Sequence, residues 1–471
     1  MVSRARHSGG TMRLALLCLT VWMIVVPAMA RAGPPDADSE SPAVGVERVS
    51  ARIVAQASDP RSLTLEAAVD EAMARNLRIV ALRREFDALR HRPEQARSLA
   101  APTFEAQIWQ WPVNTANPAN TTMYMLMFGQ DVPGRGKRAL RSSLLEMDVE
   151  LAAAAIAIAA RDVIDRVERV YADLFLARRE LEVHHATVRL LRQLVDLSDV
   201  KYRTGRISQQ DVLKAVVEVS KIQEHLIVLD EREQLAAAEL NTLLDRSVAD
   251  AVGPLATPAE RVVLPPVSEL QRLALAQQPD LKAAVLEVTR AEAALGVVRS
   301  EYRPDFSVMG GYMLMPGQRD SWMAKVGITW PTAPWTKSSV DAKAAEATAS
   351  VAAARARSAA VASATREAVY TAHVRVQAAS RRVSLLRTTI VPQSEQTLEV
   401  ARVGYQTDQV DFLVLIDIQR LLLDTQIDYL RALNDLERAR AALKRAVGTD
   451  ITSVPVRETS VTPRDMGRAR R

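Results

Sequence analysis

The stretch TTMYMLMFGQDVPGRGKR, residues Thr121 to Arg138, contains the change of pattern from which the fold can be predicted. Met123, Met125 and Met127 occupy alternate positions, with an aromatic or leucine side chain between them. Period-2 alternation is typical of a β-strand and places the three methionines on one face. The alternation stops at Pro133 and the glycines that follow it. This stretch therefore predicts a strand that leads into a helix.

The segments beyond this junction lack helix-breaking residues over long distances. From Lys137 to Val252 there is no proline and one glycine, Gly205, and from Lys337 to Val447 there is one proline and one glycine, Gly404. Lys137 to Tyr202 is predicted as a helix of roughly 66 residues, which is about 100 Å long at about 1.5 Å per residue. A compact monomer does not accommodate such a helix. We therefore expect each half to form a long helical hairpin that needs neighbours.

The two glycine-containing turns belong to a duplication. Equivalent residues lie 203 positions apart in three pairs: Tyr202 and Tyr405, Thr204 and Thr407, Ile207 and Val410. A seam of largely apolar residues, at alternating spacings of three and four, follows each turn: Val212, Ala215, Val219, Ile222, Leu226 and Leu229 after the first, and Leu415, Ile418, Leu422, Thr425, Tyr429 and Ala432 after the second. Such a seam is typical of a coiled coil. A period this long indicates a duplicated domain.

Four segments of roughly ten residues alternate between the helices: TFEAQIWQW, MYMLMFGQ, DFSVMGGYMLM and SWMAKVGITW. They form two predicted strand pairs, 103–130 and 305–330. The tryptophans beyond the N-terminal apolar run all lie in or beside these segments: Trp109, Trp111, Trp322, Trp330 and Trp335. Strand length and aromatic placement favour membrane-spanning strands; four strands of a soluble sheet are the alternative. Since open edges are not tolerated in lipid, several chains would have to contribute strands.

The N-terminus predicts export. Basic residues precede an apolar run from Leu14 to Val26, and Ala28-Met29-Ala30 has the small-residue pattern of a cleavage site. We expect a signal peptide over 1–30, a flexible lead-in over 31–60, a first repeat over 61–260, a second over 261–450 and a disordered basic tail over 451–471. The single cysteine, Cys18, lies in the signal peptide, so the mature chain should contain none. Export without disulfides is typical of a bacterial envelope protein.

Signal peptide, duplication, strand pairs and hairpins together resemble the outer-membrane efflux proteins of the TolC family, over roughly Leu63 to Asp450. The most specific pieces are the duplicated Y-x-T-[GD]-x-[IV] turns and the QDVPGRGKR junction. The resemblance implies a mainly α fold with a small β membrane part. Long hairpins would form an α-barrel in the periplasm, and four strands per chain would contribute to a twelve-stranded outer-membrane β-barrel in a homotrimer, embedded in outer-membrane lipid.

The resemblance also implies where partners bind. In this family the periplasmic tip docks an adaptor (membrane fusion) protein of an inner-membrane pump, here expected to be of the RND type. Matched by motif, the tip consists of Tyr202, Thr204, Gly205, Arg206, Ile207, Ser208, Asp211, Tyr405, Thr407, Asp408 and Val410. Asp408 stands where the pattern prefers glycine, although aspartate can adopt the left-handed conformation locally. Asp417 matches an acidic pore constriction, where three symmetric carboxylates would attract cations; a solvated helix face is the alternative reading.

The methionines raise the question of cargo. Thioethers are soft ligands suited to Cu(I) and Ag(I), so a candidate metal site consists of Met123, Met125, Met127, Met313 and Met315. Flexible apolar filling is the alternative. The junction and the stretch GGYMLMPGQRD resemble the heavy-metal branch of the family, and we therefore expect efflux of heavy-metal cations, copper and silver or zinc, cobalt and cadmium. Alternatives are a duct for drugs or other organic compounds, a type I secretion conduit, or a periplasmic coiled-coil structural or adaptor protein.

The sequence contains only weak matches to the motifs of catalytic and cofactor-binding sites. The GRGKR stretch resembles a phosphate loop only superficially, because Arg138 follows Lys137 where serine or threonine is required. His184 and His185 are adjacent on a predicted helix and diverge by about 100°, while His91, His225 and His373 are expected to be isolated surface side chains. We expect no enzyme activity, no cofactor and no nucleic-acid partner.

Overall fold

The computed structural model of the protein describes residues 62–110, 113–114, 117, 120–257 and 264–451. The predicted signal peptide, the lead-in and all but the first residue of the predicted tail lie outside the described residues, as does Trp111. The predictions for those segments, and the boundaries of the two repeats, therefore remain predictions.

The described part of the chain is mainly helical, with one small sheet. The elements in chain order are α1 (Leu65–Arg75), α2 (Leu77–Leu89), α3 (Arg92–Arg97), β1 (Thr103–Trp109), β2 (Met123–Val132), α4 (Lys137–Arg203), α5 (Gln209–Leu243), α6 (Val267–Gln277), α7 (Pro279–Ser300), β3 (Phe306–Leu314), β4 (Ser321–Ile328), α8 (Lys337–Leu385), a π-helical segment (Leu386–Ile390), α9 (Val391–Gln406) and α10 (Phe412–Val447). None of the helices in the described part combines the length and the apolar character that a bilayer crossing requires.

The long helix after the junction is confirmed, since α4 is continuous over 67 residues. Its counterpart in the second half is interrupted. The Val391 N–H donates to the carbonyl of Leu386, a π-type bond, one residue before Pro392. Proline has no N–H and clashes with the carbonyl four residues earlier, so the helix widens by one residue here and continues as α9.

The predicted seams pack in the core. Ala215 of α5 and Leu415 of α10, one seam residue from each half, are fully buried. They belong to one apolar cluster that unites α4, α5, α9 and α10 near the two turns. Two further clusters join the short helices to the long ones, α1 with α4 and α5, and α6 with α8 and α10. Apolar side chains at heptad spacing thus bury themselves between long antiparallel helices.

The sheet is antiparallel, with strand order β1-β2-β3-β4. In the central pair Met125 lies opposite Met313 and Phe128 opposite Gly310. All four predicted strand segments therefore form strands of one sheet, and the two strand pairs meet at β2 and β3.

Candidate functional site

One face of the sheet is largely apolar from edge to edge. Residues opposite each other in a ladder share a face, and the register assigns to this face Phe104, Ala106, Ile108, Tyr124, Leu126, Phe128, Val132, Phe306, Val308, Gly310, Tyr312, Leu314, Trp322, Ala324, Val326 and Ile328, together with the polar Gln130. Phe104 is 72% exposed and Trp322 is 81% exposed. An exposed apolar patch of this extent is typical of a surface that contacts lipid or another protein.

The opposite face combines polar side chains with methionine. It carries Thr103, Glu105, Gln107, Asp131, Ser307, Ser321 and Lys325, together with Trp109 and Met123, Met125, Met127, Met309, Met313 and Met323. Apart from Trp109, methionine takes the place of the large apolar residues of the other face and lies among groups that water can solvate. We call this surface the methionine face.

Glycines make room for the methionines on that face. A Cβ at Gly311 would lie 3.0 Å from Cγ of Met127, and a Cβ at Gly129 would lie 3.4 Å from Cε of Met309. The longer side chains therefore lie over the glycines of the neighbouring strand. Met323, directly opposite Gly311, extends this row and was missed by the sequence reasoning. Met323 is the third residue of SWMAKVGITW, and only the strand register shows that it belongs to this row.

Four of the five predicted metal-site methionines share the methionine face. Met123, Met125, Met127 and Met313 belong to it, and Met125 and Met127 are buried by their neighbours. Met315 lies beyond the end of β3 at Leu314, because the chain turns there toward Gly317, which has a positive φ of 84°.

The sheet has two free edges. In the described part of the chain the outer edges of β1 and β4 pair with no further strand. Unpaired edge groups cannot remain unsatisfied in hydrocarbon. The sheet is therefore incomplete as a lipid-facing structure on its own.

The QDVPGRGKR junction holds the sheet to the helices. The Gly134 N–H donates to Oδ1 of Asp305 (2.7 Å), and Nζ of the buried Lys137 lies 2.8 Å from the same oxygen. A Cβ at Gly134 would lie 2.3 Å from the Pro304 carbonyl oxygen. Because Lys137 and Gly134 hold the end of β2 against the start of β3, the residues that superficially resemble a phosphate loop have a structural role.

The first turn, between α4 and α5, closes on Gly205. Its φ is +72°, and no atom lies within 4 Å of the place that a Cβ would take. The glycine is thus required by backbone conformation rather than by space. Ser208 and Asp211 form a reciprocal capping box at the start of α5, so both predicted tip residues have a local structural role as well.

The second turn, between α9 and α10, is held to the first by an ionic contact. Asp408 is in the left-handed region (φ 58°), with Nζ of Lys201 2.6 Å from its Oδ1 and Nη1 of Arg206 2.9 Å from its Oδ2. Lys201 also donates to the Tyr405 carbonyl (2.5 Å) and lies 4.0 Å from the centre of the Tyr405 ring. Hydrogen bonding from Lys201 lowers the pKa of Asp408.

The remaining tip residues shape the two turns. Thr204 donates to the Lys201 carbonyl, and Thr407 donates to the Gly404 carbonyl. Val410 packs against Gly404, since a Cβ added at Gly404 would lie 2.6 Å from Cγ2 of Val410. Sequence reasoning missed Lys201, whose position in the last turn of α4 was the only available signal.

Comparison with known proteins agrees with this architecture. Residues 270–449 match the family model described as outer membrane efflux protein. The cobalt-zinc-cadmium resistance protein CzcC of Cupriavidus metallidurans is 24% identical over 390 residues, 82% of this chain and 90% of CzcC. Residues 270–449 are thus similar to outer membrane efflux proteins, and the similarity to CzcC extends over most of the chain. These matches agree with the predicted family and with the predicted location in the outer membrane, extending into the periplasm.

Solved structures share the fold. The outer-membrane channel OprN superposes with a TM-score of 0.70 at 19% identity, over 88% of this chain and 98% of OprN. CusC, whose structures concern transmembrane channel formation, superposes with a TM-score of 0.67 at 18% identity, over 82% of this chain and 92% of CusC. The predicted fold class, long helical hairpins with one small four-stranded sheet, is confirmed.

Asp417 lies on the second hairpin, near its turn. Its side chain is 71% exposed and forms an ion pair with Arg420, Oδ1 to Nη1 3.3 Å. Arg420 also donates from Nε to Glu218 of α5 (2.9 Å), and this hydrogen bonding lowers the pKa of Glu218. The sequence reasoning named Asp417 and missed the two residues that position it. A pore-lining role for Asp417 stays a prediction.

The histidines are placed differently from the prediction. His373, which was expected at the surface, is buried (9% exposed), and His184, for which only the divergence from His185 was predicted, is buried as well (8% exposed). His225 is not isolated, since its ring lies beside that of His184. The prediction treated each helix alone, whereas these positions depend on how neighbouring helices are rotated against each other.

Proposed function

We propose that this chain is the passive exit duct of a tripartite efflux system for heavy-metal cations, working as a homotrimer. The observation that carries the proposal is the two-faced sheet with free edges. Its apolar face fits the hydrocarbon of the outer membrane, and its methionine face fits a solvated lumen. The duct itself has no energy-transducing step; the energy comes from the inner-membrane pump.

Closure of the barrel supports a trimer. Three copies of a four-stranded sheet pair β1 of one copy with β4 of the next, and twelve strands close without an edge. The helices also present apolar side chains that the described residues leave exposed: Leu213, Val216, Ile227, Leu235, Val374, Val400, Leu413 and Leu421. Neighbouring copies would cover these side chains in an α-barrel.

The tip provides the docking surface for a periplasmic adaptor, which in turn would engage an inner-membrane pump of the RND type. Tyr202 is 42% exposed at the end of α4, and Arg206 reaches across to Asp408 on its exposed side. The two turns are joined by the ion pairs of Asp408 and form one unit to which an adaptor can bind. Opening of the duct would require this unit and the Asp417–Arg420 pair to move with the second hairpin.

The cargo proposal rests on the relative and on the methionine face. CzcC is named for resistance to cobalt, zinc and cadmium. Met125 and Met313 lie directly opposite each other, and Glu105 lies opposite Met127. Thioethers and carboxylates together can contact soft and borderline cations in transit, without the closed coordination that would retain them.

Growth of a deletion strain tests the proposal. The strain is challenged with graded copper, silver, zinc, cobalt and cadmium and with a drug panel, and it is complemented with the wild type or with a Met123→Leu/Met125→Leu/Met127→Leu variant. Metal sensitivity restored by the wild type supports metal efflux. If only the wild type restores metal tolerance, the methionine face contacts the cargo. If the leucine variant restores it equally well, the methionines serve only as apolar packing. Sensitivity to drugs alone would refute the metal cargo.

A further inference from the structure

Two histidines from different helices meet in the first hairpin. His184 lies on α4 and His225 on α5, with ring centroids 6.1 Å apart and ring planes at 54°. His184 is buried, whereas the side chain of His225 is 60% exposed. The pair therefore consists of one fixed ring and one ring that can turn at the surface.

The hydrogen bonding of His184 determines which nitrogen is free. Nδ1 lies 2.7 Å from the carbonyl oxygen of Glu180, and a carbonyl only accepts hydrogen bonds. Nδ1 therefore carries the proton, and Nε2 keeps its lone pair. An imidazole held in this way by a backbone carbonyl is the usual arrangement of a metal ligand. Burial also lowers the pKa of His184.

We propose that His184 and His225 form a two-histidine site for a borderline divalent cation such as Zn²⁺, Co²⁺, Ni²⁺ or Cd²⁺. Imidazole nitrogens bind Zn²⁺ at about 2.0–2.1 Å, which places two rings on one tetrahedral Zn²⁺ ion with centroids about 5 Å apart. The observed separation is within reach of this value by rotation of the exposed His225. Water completes the coordination on the open side of the hairpin.

The charges around the pair fit a weak and exchangeable site. The Glu180 carboxylate is engaged by Nε of Arg431 (3.0 Å) and is not available as a ligand. Oε2 of Glu224 lies 3.9 Å from Nδ1 of His225 and adds negative charge on the exposed side. No cluster of three or more histidine, cysteine or carboxylate ligands occurs among the described residues. Two protein ligands and open positions suit an ion that must leave again.

Binding at this pair stands on geometry alone, whereas its assignment to exported cations rests on the proposed function. Sequence reasoning weighed His184 only against His185, its neighbour on the same helix. The pair with His225 arises because α4 and α5 are antiparallel, and it combines a ligand from each arm of the hairpin. A bound ion would therefore link the two arms.

Metal titration of the full-length protein in detergent, purified without a polyhistidine tag, tests the site. Zn²⁺ binding is measured by competition with a chromophoric chelator, and Co²⁺ binding by visible absorption. His225→Gln should lower the affinity for one metal ion per chain at least about tenfold, since loss of an outer-shell partner alone lowers metal affinity about 10–100-fold. His185→Gln, the matched control on the same helix, should bind like the wild type, and His225→Asp should retain binding because carboxylate oxygen also ligates Zn²⁺.

Equal affinity in the wild type and in His225→Gln would overturn the site, as would an equal loss in His185→Gln. Because His225 is exposed, folding is not at risk; thermal unfolding of each variant without metal checks this. The role in export is scored separately, by the metal tolerance of a strain that carries His225→Gln. A deletion strain that tolerates metals as well as the wild type would refute the proposed function and would leave the binding result standing.

Discussion

Exchange of two adjacent residues on β4 tests which face of the sheet meets lipid. Lys325 belongs to the methionine face and Ala324 to the apolar face. The double substitution Ala324→Lys and Lys325→Ala keeps composition and charge constant and moves one ammonium group from one face to the other. Lys325→Ala alone is the matched control, because it removes the same charge from the methionine face without placing one in lipid.

The depth of Ala324 in the bilayer determines how strongly a lysine at this position would destabilise the protein. β2 spans 10 residues, and at about 3.4 Å per residue with a tilt of about 40° it is about 26 Å tall, close to the apolar band of an outer-membrane barrel. Phe128 lies near the middle of this strand, and Phe128, Gly310 and Ala324 form one row across the sheet. A lysine at the bilayer midplane costs about 2–4 kcal/mol, which is about 30- to 700-fold in the folding equilibrium.

Urea unfolding in lipid vesicles, followed by tryptophan fluorescence, measures the cost. We expect the double variant to lose about 2 kcal/mol or more per chain relative to Lys325→Ala, with an unchanged m-value. The amount of assembled protein in outer-membrane fractions should fall in parallel. Equal stability of the two variants would refute the assignment of the faces, and a more stable double variant would reverse it.

Three further substitutions test local parts of the fold. Gly134→Ala should prevent assembly, because its Cβ would overlap the Pro304 carbonyl oxygen at 2.3 Å; the yield of folded protein measures this. Gly205→Ala should cost about 1–2 kcal/mol, since a left-handed residue with a Cβ is strained, whereas Gly296→Ala within α7 should be neutral or slightly stabilising by thermal unfolding. Burial raises the pKa of Tyr171 to about 12. Its contribution to stability is therefore present below pH 10 and lost as the pH rises through 12, and Tyr171→Phe should flatten the alkaline part of the urea-stability profile over that window.

The sequence by itself determined the elements and their surfaces. Alternation over two residues defined β1 to β4 and separated Met125 from Leu126, because successive side chains of a strand point to opposite faces. The absence of helix-breaking residues defined α4, heptad spacing defined α5 and α10, and a single glycine in a long helical run marked the turn at Gly205. These properties are local, because each depends on residues that are close in the sequence. They can therefore be predicted without knowing which other element packs against the segment.

The tertiary structure decided which distant residues meet. Lys201 contacts Asp408 across 207 residues, and Gly134 contacts Asp305 across 171. Met323 joined the methionine face through strand register, and His225 joined His184 through the rotation of α5 against α4. Register and rotation are set by the summed packing of whole elements, so a shift of one residue would change every such pair while leaving the local sequence pattern intact. For this reason the hairpins and strands were predictable from the sequence, whereas the junction, the ionic link between the turns and the histidine pair were not.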